Sequence, residues 1–162
     1  MKTLNENFNR ILSLLDELQK IQGRTKFQKI IYILKNKGIP FNEKFKYHYY
    51  GPFSADLQLE IEELVDRNII IEKGINPYIY ELNDEFTDSF EKDKIIKMKH
   101  ELLTFLNNQD YQVLEVVSTM FFIQNHLSSD EKIIKRKTAA LKPHLEDLIE
   151  KSFKIKEKIE KM

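Results

Sequence analysis

The run Tyr47-His48-Tyr49-Tyr50-Gly51-Pro52-Phe53-Ser54-Ala55-Asp56-Leu57 restricts the fold of this chain more than any other stretch. Phe45 to Tyr50 is short and aromatic, the composition of a strand. Gly51-Pro52 breaks it, because glycine accepts turn angles and proline offers no N–H to a ladder. Ser54 stands directly before an apolar-periodic segment, where its hydroxyl accepts a helix-start N–H. Asp56 falls in the first turn, where the helix dipole favours an anion. Gly51, Pro52 and Ser54 therefore read as a structural turn that feeds a helix from Ala55 to Asn68. Leu57, Ile61, Leu64 and Val65 form its buried face.

The flanks complete an outline. Phe8, Ile11, Leu12, Leu15 and Leu18 recur at helical spacing, predicting a helix from Asn5 to Ile21 that Gly23 ends. Thr25-Lys26-Phe27-Gln28 matches a capping box and opens a second helix to Lys37, closed by Gly38 and Pro40. Beyond the third helix, Ile69 to Lys73 and Tyr78 to Leu82 are β-rich around Gly74-Ile75-Asn76-Pro77, a hairpin. Helix, strand, turn, helix and hairpin in this order outline a winged helix.

From Asp93 onward the pattern is helical only. Asp93 to Asn107 and Asp110 to Asn125 are predicted helices, the second apolar nearly all round and so central. Ser128 to Glu131 offers another capping box. Pro143 suits the first turn of a last amphipathic helix carrying Leu145, Leu148, Ile149, Phe153, Ile155 and Ile159. The expected fold is mainly α (α+β). It comprises a winged helix-turn-helix with a small β-hairpin wing over residues 1–88 and a helical C-terminal extension over 89–162, joined through an acidic stretch at 84–93.

Charge distribution matters more than its total. The 162 residues sum to zero net charge, yet residues 1–52 carry 10 Lys/Arg against 4 Asp/Glu, residues 53–93 carry 3 against 12, and residues 94–162 carry 13 against 10. Segregation of this kind creates local fields. The chain has no cysteine, which removes disulfides and thiolate-rich zinc sites and suits a reducing cytoplasm, the expected location. Its start, Met1-Lys2-Thr3-Leu4-Asn5-Glu6, lacks the apolar core of a signal peptide. The longest apolar run, Val113 to Ile123, is interrupted by Glu115 and too short for a membrane span, so no membrane is expected as partner.

The stretch Gly23-Arg24-Thr25-Lys26-Phe27-Gln28-Lys29-Ile30-Ile31-Tyr32, with Tyr49-Tyr50-Gly51-Pro52-Phe53-Ser54 downstream, resembles the YwgA-type bacterial and archaeal family. Leu114-Glu115-Val116-Val117-Ser118-Thr119 resembles that family's helical C-terminal half. The resemblance implies a regulator, of the winged-helix transcriptional kind, or an interaction protein. A looser similarity to the Panacea antitoxin domain rests on the Lys-apolar-apolar-Tyr helix and the Tyr-Gly-Pro turn. Neither resemblance implies a catalytic residue.

Catalytic chemistry finds little support in the sequence, which gives no pointer to a carboxylate site. His48, His100, His126 and His144 lack metal-ligand spacing, the four glycines form no phosphate-cradling loop, and Ser54 lacks a nucleophile-elbow context. The expectation is a non-enzymatic protein with no cofactor and no metal. The first functional expectation is a DNA-binding regulator of double-stranded DNA. Arg24, Lys26 and Lys29 at the start of the second helix would take phosphates. Gln58 and Arg67 on the third helix, with Lys73 and Asn76 on the wing, would be the remaining contacts. The third helix weakens this reading, because Gln58, Leu59, Glu62 and Asp66 face outward and carboxylates repel phosphate. The second expectation is therefore a protein-interaction module of antitoxin or adaptor type, meeting a basic partner through Glu62 and Asp66. The interleaved Lys44 to Phe53 segment reads as one half-buried strand or as a base-stacking surface. The C-terminal helix, with Ile155 and Ile159 among alternating Lys and Glu, reads as a homodimer seam or as a cover for the chain's own core.

Overall fold

The computed structural model describes residues 6–162. Helix α1 (Glu6–Leu18) is followed by strand β1 (Lys20–Gln22) and helix α2 (Arg24–Asn36). A hairpin of β2 (Lys46–His48) and β3 (Gly51–Phe53) leads into α3 (Ala55–Asp66), and then β4 (Ile70–Lys73) and β5 (Ile79–Leu82) form a second hairpin. Helices α4 (Lys94–Met98), α5 (His100–Asn107), α6 (Tyr111–His126), α7 (Glu131–Leu141) and α8 (Ile149–Lys161) complete the chain. The fold is mainly α with small antiparallel sheets, as expected. No helix among the described residues is long and apolar enough to cross a membrane.

One strand escaped the sequence reading. The first helix does not run to Ile21: it stops at Leu18, Gln19 takes φ 70°, and Lys20–Gln22 pairs antiparallel with β5, giving the sheet order β1-β5-β4. Three residues are too few for an alternation to show, so Ile21 looked like one more helical apolar position. The expected helix start at Asn5 lies outside the described residues. Gly23 does not close α1 but stands immediately before α2 with φ 99°.

The Thr25–Gln28 capping box does not form. Helix α2 begins at Arg24 without a side-chain cap, because Gln28 is engaged elsewhere: its amide pairs both backbone groups of Ser54, donating to the carbonyl and accepting from the N–H, each at 2.9 Å. The Gly51-Pro52 break also needs correction. These residues belong to β3, and the reversal is at Tyr49-Tyr50, with register His48 to Gly51, Tyr47 to Pro52 and Lys46 to Phe53. Gly51, at φ 92°, absorbs the turn geometry one residue later. Ser54 caps α3 as expected, its hydroxyl accepting from Leu57 N at 3.1 Å.

In the second half, the predicted 93–107 helix is two, parted at Lys99. Asp130, not Ser128, caps α7, accepting from Ile133 N at 3.1 Å, and Pro143 opens a short 3-10 turn rather than α8. Helix α6 lies at the centre, packed on α2, α7, α8 and β3. The main apolar cluster joins α1, α2 and α3 to α5, α6 and Ile159 of α8, so residues on both sides of position 88 share one core. The apolar face of α8 is buried within the chain: Ile159 joins that cluster, and Phe153 lies in a second one with Val116, Met120, Ile134 and Ile149.

Candidate functional site

Three surfaces carry the residues singled out by sequence. The first is a cleft of about 680 Å³ between the start of α2 and the tip of the β4–β5 hairpin, lined by Gln22, Arg24, Lys26, Asn76, Tyr78 and Tyr111 among others. It brings Arg24, Lys26 and Asn76 together, as the phosphate-binding expectation requires. Their chemistry is partly committed inside the chain. Arg24 donates to Tyr80 Oη at 3.1 Å, lies 3.9 Å from Glu72 and stacks 4.5 Å over the Tyr78 ring. The Tyr80 bond holds its pKa above the usual arginine value. Lys26 donates to the Asn107 carbonyl at 2.9 Å, where the C-terminal end of α5 attracts a cation, and burial lowers its pKa.

Lys29 does not join this cleft. It is 1% exposed, and its ammonium donates to the Pro52 carbonyl of β3 at 2.6 Å. Helix α2 is buried all round from Phe27 to Leu34, packed on α5, α6 and β3, so Lys29 is interior although it stands opposite the Phe27, Ile30, Ile31 and Leu34 stripe. Lys73 is held by Glu81 at 2.7 Å, leaving Asn76 and Ile75 at the wing tip. Gln58 donates to Glu62 along α3, and Arg67 is exposed at that helix's C-terminal end.

The second surface is the outer face of α3. Leu57, Ile61 and Leu64 are buried, and Asp56, Leu59, Glu62, Glu63 and Asp66 are exposed, with Leu59 65% exposed. None of these four carboxylates forms an ion pair among the described residues. On the inner edge of the same helix Glu60 meets buried Glu43, and Asn7 donates to both. Burial first, then the Glu43 charge, pushes the Glu60 carboxyl up to about 8.

The third surface, the β2–β3 hairpin, was legible only in part. Its base is clamped on α6: Lys29 ties Pro52, Lys142 at the end of α7 donates to the Tyr49 carbonyl at 2.6 Å, and Glu115 lies 3.9 Å from the Lys142 ammonium. Burial lowers Lys29 to about 8 and raises Glu115. A Cβ at Gly51 would come within 3.0 Å of Thr119 Oγ1. Phe45 packs on Tyr32, and Tyr47 on Phe122, while Tyr49 and Tyr50 meet edge to face at the solvent-exposed tip. Sequence reasoning missed Glu115 and Lys142. The one signal was a glutamate interrupting the otherwise apolar Val113 to Ile123 run. Among the described residues no group of three or more His, Cys, Asp or Glu could hold a metal ion.

The hairpin clamp gives a physical reason for two separated motifs to occur together. Lys29 of Lys-Ile-Ile-Tyr anchors the carbonyl of Pro52 in Tyr-Gly-Pro. The chain is 34% identical over 131 residues to the uncharacterized protein YwgA of Bacillus subtilis (strain 168), covering 76% of this chain and 77% of that one. The chain belongs to the YwgA-like family. No protein-family model matches it, and no solved structure matches it.

Proposed function

We propose that this member of the YwgA-like family is a non-enzymatic protein-interaction module of antitoxin or adaptor type, built on a winged-helix core and docking a basic partner through α3. The order α1-β1-α2-α3-β4-β5, with the β2–β3 hairpin inserted between α2 and α3 and with the sheet β1-β5-β4, supports the winged-helix reading. The observation that carries the function is the α3 face: four carboxylates with no ion-pair partner among the described residues, around an exposed Leu59. That combination suits the anatomy of an interface, an apolar centre within a charged rim that selects partner sign. A cysteine-free chain suits the cytoplasm as its location.

A second reading, a winged-helix transcriptional regulator of double-stranded DNA, draws on the cleft that unites Arg24, Lys26 and Asn76. The α3 face opposes it, because the helix that usually enters the major groove is acidic here. Fluorescence anisotropy with mixed duplex DNA, including the protein's own promoter, at two salt concentrations separates the two. We expect no submicromolar binding at low salt. Tight binding that weakens steeply with salt, and is lost in Arg24→Glu, would replace the interaction reading with the regulator. Affinity capture from the source cells completes the test. The partner recovered on wild-type protein is expected to be lost from Glu62→Lys/Asp66→Lys; equal recovery would exclude the α3 face.

A further inference from the structure

We propose that the basic, aromatic hairpin β2–β3 of one chain docks on the acidic α3 face of a second copy, and reciprocally, so that the free protein is a two-fold dimer. The inference rests on the α3 face of the reading above and names its occupant before the partner arrives.

The hairpin has the properties of a docking element. Tyr49 and Tyr50 are 80% and 62% exposed, 4.9 Å apart by ring centroid. Tyrosine supplies apolar area, a hydroxyl and little rotamer entropy, which makes it common among the residues that dominate binding energy. The tip is also rigid from beneath. Lys142 holds the Tyr49 carbonyl, Lys29 holds the Pro52 carbonyl, and Gly51 lies against Thr119. Burying two ammonium groups and a carboxylate carries a desolvation cost. The cluster brings no apolar area into the core; it fixes the hairpin. A tip fixed in advance loses less entropy on binding than a mobile one.

Charge selects the partner. Residues 44–54 contain Lys44, Lys46 and His48 and no Asp or Glu, and all three basic side chains are exposed. Residues 55–66 contain five carboxylates and no Lys or Arg. Lys44, Lys46 and His48 form no ion pair with α3 among the described residues. The two patches adjoin in sequence but do not satisfy one another within the chain. A two-fold axis lets each hairpin meet the other copy's helix, placing the tyrosines beside Leu59 and the cations beside Glu62, Glu63 and Asp66. Symmetry makes each contact twice and closes the assembly at two chains. The homodimer expected through the C-terminal helices is thereby relocated, since α8 turns its apolar residues into its own core.

Sedimentation velocity on the full chain tests this without any partner. Wild type is expected to sediment as twice 19.4 kDa at low salt and to dissociate as salt rises. Lys46→Glu alone and Glu62→Lys alone should each weaken self-association by at least ~10-fold, because every reversed charge then meets its own sign. An equimolar mixture of these two variants should dimerise again, the reversed hairpin of one meeting the reversed helix of the other. Tyr49→Ser/Tyr50→Ser should be monomeric with an unchanged circular-dichroism spectrum. A monomeric wild type, a mixture that stays monomeric, or single variants that still dimerise would each overturn the proposal. Lys46→Glu leaves α3 intact, so partner capture by that variant reports on the interaction reading separately.

Discussion

Glu60 is the residue at which pH should act most directly on stability. Its folded pKa lies above the carboxylate value because burial and Glu43 disfavour the anion. The folded chain therefore binds more protons than the unfolded chain between about 4.5 and 8. This contribution is full below that window and is lost as pH rises through it. Glu60→Gln keeps a group able to hydrogen-bond and removes the titration. Its melting temperature is expected to exceed that of wild type at pH 8 by about 2–4 °C per kcal/mol recovered, with a smaller gain at pH 5; equal shifts at both values would exclude this role. Gly51 supports a second expectation. Gly51→Ala combines a left-handed φ with a Cβ 3.0 Å from Thr119 Oγ1, and should lose about 1–3 kcal/mol in urea denaturation. Gly38→Ala, where a Cβ meets nothing within 4 Å, should lose less. Neither glutamate of the Glu43–Glu60 pair was legible in the sequence, since positions 17 apart show no pattern until folding brings them together.

Helix α3 and its neighbours divide into what local rules predict and what they miss. Ser54 and the Leu57, Ile61, Leu64 stripe followed from spacing alone, and Ser54→Ala should cost about 1 kcal/mol as a lost cap. The α2 start did not follow. Gln28 sits at the capping-box position, yet it folds toward Ser54, whose buried N–H needs a partner. Gln28→Ala leaves the Ser54 N–H unsatisfied, about 1–3 kcal/mol, while the Ser54 carbonyl keeps the Gln58 N–H, and should destabilise more than Ser54→Ala. The reverse order in thermal melts would reject this assignment. Strand β1 was missed for a related reason: a three-residue strand is defined by β5 beside it, not by its own composition.

At the scale of the molecule, α6 and α8 bind the two halves of the sequence into one core. Ile159, three residues before Met162, is fully buried in the same cluster as α1 and α2. Ile159→Ala should therefore cost about 2–5 kcal/mol in a single cooperative unfolding transition. A second, independent transition or a negligible loss would mean that the C-terminal helices form a separate unit. The charge segregation read from the sequence survives folding only in part. The acidic segment keeps an open face on α3, while the basic N-terminal segment is divided: Lys29 goes to the interior, Lys26 to the end of α5, and Lys37 to the Glu160 carbonyl at 3.1 Å.

The amino-acid order was enough for the helical class, the capped third helix, the β4–β5 hairpin and the acidic outer face of α3, because each is written in spacings of a few residues. It was also enough to single out Lys29 and Gly51-Pro52, though not to say why they matter. That reason is tertiary. A lysine near the start of a helix reads as a phosphate contact until a carbonyl 23 residues away is seen to receive it. The same holds for the Lys142 clamp, the Glu43–Glu60 pair and the tyrosine tip. Burial and hydrogen-bond partners at long range are properties of packing, and only packing assigns a charged side chain to the surface or to the core.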